Sequence, residues 1–294
     1  MENTQINITE IIAQTINSLF TTLFSSIDSN IYSTLDDLTF IDTDIITSNT
    51  FSSILGFSLN SGILLIVNSF LIIFLLIYCV KFFCSSFTNS NIERPLQFIF
   101  KFIILTFLIN FSYFICEQII NINSLISLSI REIGENIFNH NINFSELINK
   151  INSLLFLDLS SFNIFSFDGI IKSFISINLF NLLFTYSLRY IMIKVFVLLS
   201  PFAFLTLLNS STSGFFRSWL KSFISLLLLQ SFVSIILLVV FSLKITSNDL
   251  FSKLIYIGSI YALTKAGYFI KEIIGGISTD VSSNINILKS LFHN

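Results

Sequence analysis

The chain has 294 residues, 53% of them hydrophobic and only 11% charged, with a formal net charge of −2. Soluble domains carry about 25% charged residues, so one soluble core of this length is excluded, and so small a net charge marks no partner by itself. The chain reads as an all-α polytopic membrane protein with five transmembrane helices, amphipathic helices outside the membrane, and its N-terminus outside and C-terminus cytoplasmic.

Residues 1–61 come first. Glu2, Glu10, Asp28, Asp36, Asp37, Asp42 and Asp44 are all acidic, and no Lys or Arg precedes Gly62. Lys and Arg are retained on the cytoplasmic side during insertion, so this head is expected outside. It lacks the basic start and continuous apolar core of a signal peptide, and insertion is expected to depend on internal spans. Ile8, Ile11, Ile12, Ile16, Leu19, Phe20, Leu23 and Phe24 recur at three- and four-residue steps, which predicts an amphipathic helix. A helix lying on anionic lipid is normally basic, and this one is not. Packing against a partner chain or the protein's own spans is therefore favoured over lying on the lipid surface.

A transmembrane hairpin is expected over 62–116, with spans at 62–80 and 96–116 joined by Lys81, Glu93, Arg94 and Pro95. Lys101 lies about one turn inside the second span and snorkels to the cytoplasmic interface. The polar segment 117–168 holds Arg131 and Lys150 against Glu117, Glu132, Glu135, Glu146, Asp158 and Asp168, which places it outside. Ile119, Ile122, Ile126, Ile130, Ile133 and Ile137 form one helical stripe there, and Leu147, Ile148, Ile151, Leu154 and Leu155 form another.

The transmembrane core is read over 169–272. From 170 to 208 only Lys172, Arg189 and Lys194 interrupt the apolar sequence. At 1.5 Å per residue that is roughly 58 Å of helix against a hydrocarbon core near 30 Å. No Gly, Pro or Asn stands at Arg189-Tyr190 to make a hairpin, so one crossing inside a long helix broken near Pro201 is expected. Asp168 and Lys172, one turn apart, read as an interfacial ion pair. Trp219, between Arg217 and Lys221, reads as an interfacial anchor in a basic cytoplasmic loop. Spans at 223–243 and 254–270 follow, with Gln230 inside the first as intramembrane hydrogen-bonding glue. The short loop 244–253, with two Lys against Asp249, is an exception to the charge rule. In the last span Gly258, Ala262 and Ala266 repeat every four residues and let another helix approach closely. Lys265 either faces a bundle interior or snorkels. The remaining 273–294 is a cytoplasmic tail containing Gly275 and Gly276.

Cys79, Cys84 and Cys116 lack metal-ligand spacing, and His140 and His293 lie far from them, so no disulfide framework, metal or cofactor is expected. No P-loop, nucleophile–base set, HExxH or dinucleotide fingerprint is present, so the chain is not read as an enzyme and no residue is assigned a catalytic role.

Leu188-Arg189-Tyr190 through Leu199-Ser200-Pro201-Phe202-Ala203-Phe204 resembles the TrbL-like family, the polytopic inner-membrane channel subunits of VirB-type type IV secretion systems. A Trp-containing loop like Phe216-Arg217-Ser218-Trp219-Leu220-Lys221 leads in that family to a long span with Gln, here Gln230. Lys265-Ala266-Gly267 to Gly275-Gly276 looks like its last span and Gly-rich exit, and Glu93-Arg94-Pro95 with the Asn110-Phe111-Ser112 span fits its Gram-positive conjugative members. The resemblance covers about 95–276. It implies a multi-pass protein of the cytoplasmic membrane and a homo-oligomer that works with other secretion-complex membrane subunits and separate ATPases. The machine passes single-stranded DNA or protein, and the resemblance associates 117–168 with that passage. A small-solute transporter or ABC-type permease subunit is the alternative, which predicts internal repeats and interrupted helices that the sequence lacks.

Overall fold

The computed structural model describes residues 8–56, 62–88, 94–155, 166–209, 211–243 and 250–276. Glu2, Glu93, Asp158, Lys244, Asp249 and most of the 273–294 tail lie outside the described residues. Among the described residues the chain is all-helical: α1 (Ile8–Thr39), α2 (Asn49–Leu55), α3 (Ile63–Thr88), α4 (Pro95–Asn110), α5 (Ser112–Phe138), α6 (Phe144–Leu155), α7 (Phe167–Leu205), α8 (Ser213–Ser242) and α9 (Leu250–Ile274).

Among the described residues four helices are long and apolar enough to cross a membrane: α3, α5, α7 with the 3₁₀ turn that follows it, and α8. The fold is therefore that of a multi-pass membrane protein. The expected second span, 96–116, is not one straight helix. Pro95 opens α4 at its first helical position, where no N–H is needed. The helix then bends at Phe111 and continues as α5 to Phe138. α4 alone is 16 residues, roughly 24 Å and short of a bilayer. The expected last span lies in α9, which carries Lys253, Lys265 and Lys271 and is not among the four.

Long-range contacts fix the helix directions. Asn123 reaches Leu227 and Ser127 reaches Ser234, so α5 and α8 run parallel. Tyr186 reaches Leu263 and Asp168 pairs with Lys253, so α7 and α9 run parallel. Arg189 with Leu226, and Trp219 with Phe196, set α7 antiparallel to α8. Asn68 with Asn110, and Tyr78 stacked on Phe98, make α3 and α4 an antiparallel hairpin.

The core divides in two along α7 and α8. One cluster joins the end of α1, α6, the first half of α7, the second half of α8 and α9. The other joins residues between Ile41 and Leu55, α3, α4, the start of α5, the last third of α7 and the first half of α8.

α7 is one helix of 39 residues with Pro201 inside it. The break comes after Leu205, where the chain tightens into the 3₁₀ turn Thr206–Leu208, and not at Pro201. Proline lacks the N–H that would bond the carbonyl four residues back and usually kinks a helix. Here that carbonyl belongs to Val197, and the Ser200 hydroxyl donates to it at 2.7 Å. The Ser-Pro pair thus carries its own repair.

The stripe expected on α6 is turned inward: Leu147, Ile148 and Ile151 are buried. The stripe expected on α5 is turned outward, with Ile122, Ile126, Ile133 and Ile137 between 46% and 63% exposed. The buried face of α5 is instead Cys116, Ile120, Asn123, Ser127 and Gly134. α1 likewise divides. Ile31 and Leu35 are buried, while Ile11, Ile12 and Leu19 stay exposed.

Candidate functional site

A seam of buried polar groups runs between the two apolar clusters, built from one face each of α5, α7 and α8 and closed by the end of α1. Its residues share helical faces: Asn123 and Ser127 are four apart on α5, and Gln230 and Ser234 are four apart on α8. Ser231 donates to Asn123 Oδ1 at 3.1 Å, and Asn123 Nδ2 donates to the Leu227 carbonyl at 2.8 Å. The Ser127 and Ser234 hydroxyls meet at 2.8 Å, and Ser234 Oγ donates onward to the Gln230 carbonyl at 2.9 Å.

Arg189 is fully buried at the centre of this seam. Nε donates to the Leu226 carbonyl at 2.7 Å, Nη1 to the Thr39 carbonyl at 2.8 Å, and Nη2 to Gln230 Oε1 at 3.2 Å. Gln230 Oε1 also accepts from the Ile41 backbone N–H at 3.1 Å. The acceptors are carbonyl oxygens rather than a carboxylate. Burying an ion costs several kcal/mol, and hydrogen bonds to a charged group return about 1.5–3 kcal/mol each, so the site is favourable only with its full set of acceptors. Thr39 is the last residue of α1, where the helix dipole is negative and favours a cation. Arg189 and Gln230 together therefore grip the C-terminal end of α1 inside the bundle.

Other groups hold the same end. Asp36 accepts from the backbone N–H groups of Phe144 (2.7 Å) and Ser145 (3.2 Å), and from the Ser145 hydroxyl (2.8 Å), capping the start of α6 from a different helix. Burial pushes the Asp36 carboxyl above its ordinary value, against the pull of those bonds and of the nearby Arg131. The Arg131 guanidinium sits 4.0 Å from the centre of the Phe40 ring, a cation–π contact. What this arrangement does chemically is clamp: its members are a guanidinium, amides and hydroxyls, held by one another. Among the described residues no group of three or more His, Cys, Asp or Glu is placed to hold a metal.

The remaining sequence candidates fall elsewhere. Trp219 is inside α8 and buried, not in a loop. Its indole N–H donates to the Phe196 carbonyl at 3.0 Å, and its ring stacks on Phe223 and packs against Phe204 and Phe216. Arg217 and Lys221 are helical too, both exposed. Burial of the indole follows from its helical phase, which points it at α7 while the two cations point away. Pro201 is buried in α7. Lys194 is half-buried, its ammonium 4.8 Å from the Tyr190 ring centre.

Asp168 pairs with Lys253 of α9 rather than with Lys172, whose ammonium is buried and donates to Asn152 at 2.7 Å. That pair also accounts for one of the two Lys that break the charge rule in the 244–253 loop. Gly258, Ala262 and Ala266 do not line one contact: Gly258 is exposed with open space at its Cα, Ala262 is half-buried and Ala266 is buried. α9 packs through Tyr256, Ile260, Leu263, Ala266 and Ile270. Lys265 is half-buried on α9.

Sequence reasoning named Arg189 and Gln230 but missed Asn123, Ser127, Ser231, Ser234 and the α1 end. The signal available was the four-residue spacing of polar residues inside apolar stretches. Asn and Ser are so frequent in this chain that the spacing did not stand out. No protein-family model, curated protein or solved structure matches the chain.

Proposed function

We propose that the chain is a membrane-embedded channel or scaffold subunit of a conjugation-type (type IV) secretion machine of the cytoplasmic membrane. The observation that carries this reading is the mutual engagement of the residues behind the TrbL-like resemblance. Arg189 bonds Gln230, Ser200 bonds the carbonyl freed by Pro201, and Trp219 bonds Phe196, all within the α7–α8 pair.

The helix directions support five crossings, with α3, the bent α4–α5 unit, α7, α8 and α9 alternating in direction. Arg217, Lys221 and Lys271 are exposed, and Gly276 at the exit of α9 lies against the Lys221–Ser222 backbone of α8. We assign this end to the cytoplasm by the positive-inside rule. The acid-rich head is then outside and the tail inside. Subunit partners, separate ATPases and a DNA or protein substrate follow from the same reading.

Deleting the coding sequence is expected to abolish conjugative transfer while growth stays normal, with full-length protein in trans restoring transfer and Trp219→Ala failing to. Normal transfer from the deletion strain in a mating assay overturns the proposal.

A further inference from the structure

An open cleft of about 680 Å³ lies at the elbow where α4 bends into α5, against the start of α3. Its volume is in the range of small-molecule sites, about 300–1,000 Å³. The described lining has two characters. Leu64, Leu65, Phe111 and Phe114 make an apolar wall, and Asn68, Asn110 and Glu117 bring polar groups to it. Asn68 Nδ2 donates to Asn110 Oδ1 at 3.3 Å, and Asn110 Nδ2 to the Thr106 carbonyl at 2.8 Å. Each carboxamide has a second N–H and a further lone pair beyond these bonds. Tyr113, the third aromatic of the lining, is fixed by its hydroxyl to the Ile46 carbonyl at 3.3 Å.

Charge and position together define the occupant. Glu117 is the one carboxylate in the described lining, which includes no Lys, Arg or His. A carboxylate beside aromatic rings is complementary to an ammonium group, which the ring faces also attract. Leu65, Phe111 and Phe114 of the lining are themselves exposed, and so are Ile66 and Phe107 on the same α3 and α4 helices. Of these, α3 is the barest apolar helix of the four that are long enough to cross a membrane. A ligand entering from this surface arrives through hydrocarbon, and so carries an apolar tail.

We propose that the cleft binds one membrane phospholipid with a primary ammonium headgroup. The ammonium pairs with Glu117 among Phe111, Tyr113 and Phe114, the Asn68–Asn110 amides meet the phosphate and ester oxygens, and an acyl chain lies along Leu64 and Leu65. This site is independent of the secretion reading and stands or falls by lipid binding alone.

The test is native mass spectrometry of the full-length protein in detergent, titrated separately with dioleoyl phosphatidylethanolamine and dioleoyl phosphatidylglycerol. One bound phosphatidylethanolamine is expected, held about tenfold more tightly than phosphatidylglycerol, the range for one charge-assisted contact. Glu117→Gln is expected to erase that preference, and Glu132→Gln, on an exposed carboxylate further along α5, to keep it. Equal retention of the two lipids by the wild-type protein overturns the proposal, and needs no variant to fold. An unchanged preference in Glu117→Gln overturns it as well. Displacement of bound lipid by free ethanolamine at matching concentration overturns the lipid as the source of the ammonium.

Discussion

α5 and α6 are neighbours in sequence, and both carry a regular apolar stripe, yet they use it in opposite senses. α6 buries Leu147, Ile148 and Ile151, as a helix does on the surface of a soluble protein. α5 exposes Ile122, Ile126, Ile133 and Ile137 and turns Asn123, Ser127 and Gly134 toward α8. Inward small and polar residues with outward aliphatics are what helix packing in lipid selects, because hydrocarbon gives apolar residues no reason to leave the surface. Periodicity reports that two faces differ; the medium decides which face goes in. The two helices within residues 117–168 therefore bury opposite kinds of face.

The largest effect is expected where the two regions meet, at the end of α1. Arg189→Ala leaves the Thr39 and Leu226 carbonyls and Gln230 without their charged donor. We expect about 3–5 kcal/mol of lost stability, seen as a collapse of folded yield and as protease cleavage between α1 and α3. A variant that resists protease like the wild type breaks the view that this clamp joins the regions.

The sharpest test of the contrast itself is a matched pair. Leu147→Ala on α6 removes a fully buried side chain and is expected to cost about 2–5 kcal/mol. Ile133→Ala on α5, 53% exposed, is expected within about 0.5 kcal/mol of wild type. Thermal unfolding in detergent compares them directly, and equal losses erase the distinction.

The inward face of α5 gives a smaller effect. A Cβ at Gly134 would sit 2.6 Å from Ile142 Cγ1 and 2.7 Å from Leu238 Cδ1. Leu238 Cδ1 is a flexible end that can yield, but Ile142 Cγ1 is held next to its branched Cβ in a fully buried side chain, so Gly134→Val is expected to cost about 3 kcal/mol, the upper end for overpacking. The same unfolding measurement reads it, and a neutral result places the α5–α8 contact further apart than described.

Much of the frame was legible because it depends on local chemistry. The single long α7 follows from the absence of a turn-former at Arg189-Tyr190, the start of α4 from Pro95, and the stripe of α6 from Leu147, Ile148 and Ile151. What was not legible depends on which surfaces meet. Trp219 between two cations reads as an interfacial anchor until α7 supplies the Phe196 carbonyl. Asp168 reads as the partner of Lys172 until α9 brings Lys253 to it. Ser200 ahead of Pro201 is the exception, a local signal that the helix continues. The polar seam was half visible: Arg189 and Gln230 stand out by rarity, while Asn123, Ser127, Ser231 and Ser234 are hidden by the abundance of their own types.

The smallest expected effect concerns Asp36, which ties α1 to the buried start of α6 and so tests the soluble-like side of the contrast. Its folded value is raised above the ordinary 3.8 by burial, so folding favours the protonated form. The stability from that preference is fully present below 3.8 and is lost as pH rises through the folded value. Asp36→Asn cannot ionise. It weakens the cap on α6 at every pH, but it escapes that pH-dependent loss. The melting-temperature gap between wild type and Asp36→Asn is therefore expected to be widest in acid and to narrow toward neutrality. A gap that widens toward pH 7 instead means that the carboxylate, gathering the Phe144 and Ser145 donors, is the form the fold prefers. The hydrogen bonds would then outweigh burial at the joint between α1 and α6.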